Sequence, residues 1–351
     1  MHRASWILVG AALIATACTS IPSSENAALL ARAQQLFKPL PADAGTPERP
    51  LVKERIELGR ALFFEPRLSL DDRISCATCH QPSFYGAEPL AVSMGPSGKL
   101  LPRNTPTIFN TALQFAQHYG GNRSDVEDQA MRSLTSPFAY QQKDMAAAEV
   151  KLRSLPGYRA LFEKAFPGQP EPVTVQNLGL AIGAYERVLL TPAPFDRYLK
   201  GEAGAISAQA GRGLDKFMTV GCVGCHNGVV LGGQSYQKFG LTQDYWTLTG
   251  SKPNDVHKGI DEGRFQDTKN EADSFMFKVP QLRNVAVTPP YFHDGSVARL
   301  EDAVRIMAKL QLGRDLPPAD VADIVAFLES LTGEVPANFA QAPVLPVTPS
   351  R

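Results

Sequence analysis

The sequence predicts a mainly α-helical fold divided into two domains. Three observations support this. Apolar residues recur at helical spacing in one segment after another, one Cys-x-x-Cys-His signature lies in each half, and Pro192 and Pro194 punctuate the stretch between the halves. With 351 residues the chain is long enough for two domains of ordinary size.

The N-terminus reads as an export signal. His2 and Arg3 precede an apolar run from Trp6 to Ala17 that is short for a membrane span. The run ends in Ala15-Thr16-Ala17-Cys18, whose small residues suit a signal peptidase, so a signal peptide is expected over 1–17. Cys18 is a candidate for lipid attachment; the alternative is that it is lost or idle after cleavage. The polar stretch Thr19 to Asn26 is expected to be a tether or a disordered start within an N-terminal segment over 18–50.

The helices follow in order. Glu54 to Phe64 places Ile56, Leu58, Ala61 and Leu62 at helical spacing. Ser124 and Glu127 form a capping-box pattern that opens a helix towards Leu134. Asp144 to Leu155 and Val175 to Leu190 are further helices, the second with Leu178, Ile182, Tyr185 and Leu189 on one face. Ser207 is expected to cap a helix ending near Val220. Pro318 opens a last helix lined by Val321, Ile324, Val325, Leu328 and Leu331 and stopped at Gly333. Irregular Pro- and Gly-rich stretches run over Gln81 to Thr107, Gly228 to Asn270 and the tail after Gly333, longer than compact domains ordinarily keep. The expected domains are 51–195 and 196–335, with a C-terminal tail over 336–351. Each carries one signature, as a weak duplication of one small helical module would.

Composition narrows the function. Apolar residues make up 44% and charged residues 20%, as in ordinary globular proteins. The 35 Lys and Arg balance the 35 Asp and Glu, so the basic excess of a nucleic-acid binder is missing. Of the 5 cysteines, four form the pairs Cys76/Cys79 and Cys222/Cys225, which leaves Cys18 over.

The chemistry centres on Cys76-Ala77-Thr78-Cys79-His80 and Cys222-Val223-Gly224-Cys225-His226. Two thiols at this spacing can reach the two vinyl groups of one haem and form thioethers, and the adjacent His can coordinate the iron. Two c-type haems per chain are therefore expected. The alternatives are a zinc site and a redox dithiol, but the gap from Cys79 to Cys222 far exceeds zinc-ribbon spacing. Each iron has a second axial position: filled by a strong ligand it carries electrons, and open it binds peroxide or oxygen. Candidates are His118, His257 and His293 and the methionines Met94, Met131, Met145, Met218, Met276 and Met307.

The order of segments resembles the bacterial di-haem cytochrome c peroxidase family, including the related enzymes of methylamine utilisation that oxidise protein tryptophans. The resemblance runs from about Leu51 to Pro346. It is carried by Leu58-Gly59-Arg60-Ala61-Leu62-Phe63-Phe64, both haem signatures, and Arg103-Asn104-Thr105-Pro106-Thr107. It continues through Phe277-Lys278-Val279-Pro280-Gln281-Leu282-Arg283-Asn284 and Pro290-Tyr291-Phe292-His293-Asp294-Gly295. It implies two cytochrome c-like domains, a peroxidatic haem on His80, and an electron-transfer haem on His226 with Met307 as second ligand. The tryptophan-oxidising relatives have a Tyr at the Met307 position, which favours the peroxidase reading. It also implies calcium between the domains, held by Asn104, Thr288 and Pro290, oxygen donors of the kind calcium prefers.

Departures from the family pattern fall around the first haem. A His that caps this haem in other members is matched by Pro96, which cannot ligate. The Trp between the haems is matched by Tyr119. Gln129 matches the family Gln over the open haem, but the Glu position falls on Ala139. That Glu has a general acid-base role. Without it, Gln129, a water, or an acid such as Glu127 or Asp128 would have to serve.

The resemblance implies an enzyme of the periplasm that reduces hydrogen peroxide with electrons from a small redox protein, a cytochrome c or a copper protein. The alternatives are an enzyme that modifies a protein partner and a non-enzymatic two-haem electron carrier. A second copy of the chain is a further candidate partner.

Overall fold

The computed structural model describes residues 23–250 and 260–347. The signal peptide over 1–17, Cys18 and His257 lie outside the described residues. Among those described, helices dominate, and the only named strands are Tyr236–Lys238 and Met276–Lys278, an antiparallel ribbon with Tyr236 opposite Lys278.

Each half is organised around a crossing of two helices. In the first, Lys53–Phe63 packs on Val175–Glu186 so tightly that a Cβ on Gly59 would lie 1.8 Å from the Ala181 carbonyl oxygen. In the second, Ala208–Val220 packs on Pro318–Glu329, and a Cβ on Gly213 would lie 1.8 Å from the Asp323 carbonyl oxygen. Only glycine permits such backbone contact. Phe63 and Phe217, one turn on from these glycines, are both buried. The same close glycine contact thus recurs in both halves.

The first apolar core gathers Leu58, Leu62, Phe63, Leu178, Ile182, Tyr185 and Leu189, joined by Tyr158 and Phe162 of the helix Tyr158–Ala165. The second gathers Phe195 and Tyr198 of Pro194–Leu199 with Leu214, Phe217, Ile324, Phe327, Leu328 and Leu331.

Both chain ends cross over. The stretch expected as a tether is helical from Ser23, and the helix Ser23–Leu36 places Leu29 and Ala33, followed by Phe37, in the second core. Phe37 meets Phe195 edge-on at 5.6 Å between ring centroids. Its apolar stripe repeats every fourth residue and is diluted by polar neighbours, which makes it read as a polar tether. At the other end the short helix Ala337–Ala340, not Pro318–Glu329, is the last, and its Phe339 enters the first core, 5.0 Å from Phe109 and 5.9 Å from Phe63. Arg60 Nε secures it by donating to the Asn338 carbonyl at 2.7 Å.

Two boundaries depart from expectation. Asp125 rather than Ser124 caps Val126–Ser133, its carboxylate accepting from Asp128 N–H at 2.7 Å. The helix expected to run to Leu190 ends at Glu186. Asp144 and Ser207 cap their helices as their sequence positions suggest.

Candidate functional site

The first signature forms one helical turn, Cys76–Cys79, capped by Ser75 and Thr78, which exchange side-chain and backbone bonds. The turn puts both thiols on one side and ends at His80. The His80 Nδ1–H donates to the Gly86 carbonyl at 2.9 Å, since a carbonyl can only accept. That fixes the tautomer and leaves Nε2 free to ligate. In the second signature His226 is buried, and its Nδ1–H donates to the Leu231 carbonyl at 3.1 Å. Burial holds both imidazoles below their ordinary pKa, so both are neutral, the form that binds metal.

Cys76, Cys79, Cys222 and Cys225 form no disulfide. Burial pushes Cys76 up to about 12, Cys79 up to about 11 and Cys222 up to about 11. Tyr140 Oη lies 3.3 Å from Cys76 Sγ, a contact that sequence reasoning missed because nothing in Phe138-Ala139-Tyr140 marks it. Among the described residues no three His, Cys, Asp or Glu side chains converge as a metal cluster would need.

A cavity of about 290 Å³ runs from the second signature to the seam between the halves. Cys222, Cys225 and His226 line it, and so does Met307, on the helix Leu300–Leu312. Leu282, Val285, Leu300, Val304 and Leu328 make its surface largely apolar. Such a wall, with an imidazole and a thioether both reaching it, suits a haem. Tyr119, Asn104, Thr288 and Pro290 line the same cavity. The Tyr119 hydroxyl lies 3.5 Å from Asn104 Oδ1, and burial raises its pKa. Asn104 Nδ2 donates to the Leu90 and Ala91 carbonyls at 3.0 and 3.2 Å, leaving Oδ1 on the cavity side. The structure thus brings the three expected calcium donors and Tyr119 to one cavity. Cys76, Cys79, His80 and Gln129 are not on it; Gln129 stands half-buried on Val126–Ser133.

His118 also lines the cavity, in a left-handed backbone conformation. Its Nδ1 is 2.8 Å from Asn122 Oδ1, and Asn122 in turn donates to Asp267 at 2.8 Å. Its side chain is exposed. Met94 is 57% exposed, and Pro96 opens a 3₁₀ turn over Pro96–Gly98.

The substitute acids expected from sequence are engaged elsewhere. Glu127 accepts a bidentate pair from Arg187 at 2.7 and 3.0 Å, and Asp128 pairs with Arg132 at 2.6 Å. Beside them Glu186, buried and overlooked in the sequence, is pushed up to about 8 by burial and by the Glu127 charge. Ala139 sits half-buried against the first core.

Comparison with known proteins identifies relatives along most of the chain. The family model for the di-haem cytochrome c peroxidases matches residues 53–204. A cytochrome c551 peroxidase of Pseudomonas aeruginosa is 42% identical over 330 residues, covering 93% of this chain and 92% of the relative. A methylamine utilization protein MauG of Methylorubrum extorquens is 33% identical, covering 91% of this chain and 89% of its own. Among solved structures, a MauG-like protein associated with microbial copper homeostasis superposes with a TM-score of 0.72 at 27% identity, covering 86% of this chain and 97% of its own.

Proposed function

The chain belongs to the di-haem cytochrome c peroxidase family, and from that membership we propose that it reduces hydrogen peroxide to two molecules of water, taking two electrons from a small redox protein and two protons. It is a haem-dependent oxidoreductase. The observation that supports the reading is the single apolar cavity lined by both His226, with its tautomer fixed, and Met307.

Each haem is joined through thioethers, one to Cys76 and Cys79, the other to Cys222 and Cys225. Haem iron supplies the one-electron steps and the peroxide chemistry. The residues of the chain do the rest. His80 and His226 hold the irons through Nε2, with Gly86 and Leu231 orienting the rings. Met307 would complete the second site, where a thioether ligand would raise the potential of a bound haem. Tyr119 would serve the path of electrons between the two sites. Gln129 would orient peroxide at the first site by hydrogen bonding. Asn104, Thr288 and Pro290 hold calcium at the seam.

The first haem belongs to a domain over 51–195 and the second to one over 196–335. Export to the periplasm follows from the N-terminal signal, and Cys18 is the anchor point if a lipid is attached.

A second reading, oxidation of a protein partner, draws on the MauG likeness. Met307, where the resemblance places a Tyr in such enzymes, favours peroxide reduction. A haem assay on denatured protein should give two haems per chain. Steady-state peroxide consumption with a reduced cytochrome c or copper protein should be sustained; no turnover with either class of donor would overturn the peroxidase reading.

A further inference from the structure

The cavity wall beside the second signature carries cations and no acid. Among its lining residues there is no Asp or Glu, and the only Lys and Arg are Lys278 and Arg283. Arg283 is neutralised within the protein by Asp196, at 2.8 and 2.9 Å. Lys278 is not. It ends the strand Met276–Lys278, is 7% exposed, and its ammonium donates to the amide oxygen of Gln114, a neutral acceptor. No carboxylate among the described residues pairs with it. Burial alone takes its pKa down to about 8, with no neighbouring charge contributing.

Buried ammonium groups are found paired, because leaving one without a counter-charge is costly. The described residues offer none here, so the counter-charge falls to the ligand of the cavity. A haem carries two propionates. We propose that Lys278 is the counter-ion of an ionised propionate of the haem attached at Cys222 and Cys225, an inference that rests on the di-haem reading.

The placement has a structural corollary. The Lys278 N–H donates to the Tyr119 carbonyl at 2.7 Å, and Gln114 belongs to the first half. The same residue therefore holds the second haem by one edge and the segment between the haems by its backbone.

A cation beside a haem favours the reduced form, which carries one more electron. The test is spectroelectrochemistry on purified holoprotein with the haem content measured in parallel. In Lys278→Met the equilibrium constant for reducing the second haem should fall about tenfold, which is about 59 mV for a one-electron couple. In Lys278→Arg it should stay within about threefold of the wild type. A Lys278→Met protein with two haems and an unshifted potential overturns the proposal. A wild-type protein lacking two haems overturns instead the reading on which it rests. If Lys278→Met does not accumulate, reduced-minus-oxidised infrared difference spectra of the wild type and Lys278→Arg serve. A carboxylate band that moves between them is expected; identical band positions overturn the pairing.

Discussion

Arg283 grips Asp196 through two parallel hydrogen bonds, Nη1 to Oδ2 at 2.8 Å and Nη2 to Oδ1 at 2.9 Å, with both side chains essentially out of solvent. The Asp196 carboxylate also accepts from Leu40 N–H at 2.7 Å and Ala193 N–H at 2.8 Å, so one ion pair joins the N-terminal segment, the start of Pro194–Leu199 and the cavity wall. Removing one member of a fully buried pair strands the other's charge, at a cost of about 3–5 kcal/mol. Arg283→Met should therefore lower the denaturation midpoint sharply, and Arg283→Met with Asp196→Leu should recover most of the loss. Equal instability of single and double variants would show that the pair itself is not what matters.

Met307 as second ligand predicts a sulfur-to-ferric-haem charge-transfer band in the near infrared. Met307→Ala should abolish the band and lower the potential of the second haem. Survival of the band in that variant would remove Met307 from the site.

With Pro96 where a capping His would stand, and His118 tied to Asn122, the first iron should be open in the oxidised protein. Electron paramagnetic resonance should show a high-spin component, and cyanide should bind without prior reduction. His118→Ala should leave that component in place. Two purely low-spin signals in the wild type would contradict this account.

Ala139→Glu restores an acid where the resemblance places one. Positioned acid-base groups contribute about a hundredfold or more, and neither Glu127 nor Asp128 is free to substitute, so peroxide turnover should rise by at least tenfold. An unchanged rate with the first iron still open would mean that proton delivery does not limit this enzyme.

Glu186 gives a pH-dependent prediction. Its carboxyl ionises near 4.5 when unfolded and near 8 in the fold. As pH rises through that window the unfolded chain sheds a proton that the folded chain keeps, so stability falls with pH until about 8. Glu186→Gln removes this slope. Thermal midpoints of the two proteins should nearly coincide at pH 5, and the variant should lead by pH 8.5, by on the order of 3 kcal/mol. Parallel profiles would show that Glu186 is ionised in the fold.

What could be read from sequence was local. The Cys-x-x-Cys-His signatures hold their ligands within one turn, and Asp144 and Ser207 cap helices three residues away. What could not be read depends on partners far along the chain. Glu127 was a plausible free acid until Arg187 reached it from 60 residues on. Lys278, inside an apolar run ending in Pro280, carried a signal in hindsight: a lysine flanked by Phe277 and Val279 is placed where charge is buried. Glu186 gave no such sign, because its protonation follows from burial and from the Glu127 charge, which the fold brings to it.

The crossing of the chain ends governs how the molecule can be made. Leu29, Ala33 and Phe37 belong to a core whose other members begin at Phe195 and end at Leu331, while Phe339 completes a core that otherwise closes at Leu189. A chain delivered N-terminus first must carry its opening helix unburied until most of the polypeptide has followed, and must keep its first core incomplete until nearly the last residue arrives. Folding in vectorial steps, one half at a time, is thereby discouraged. A fragment cut at Pro192 would leave each piece holding a helix that belongs to the other, so the two halves should be recovered only as a non-covalent pair.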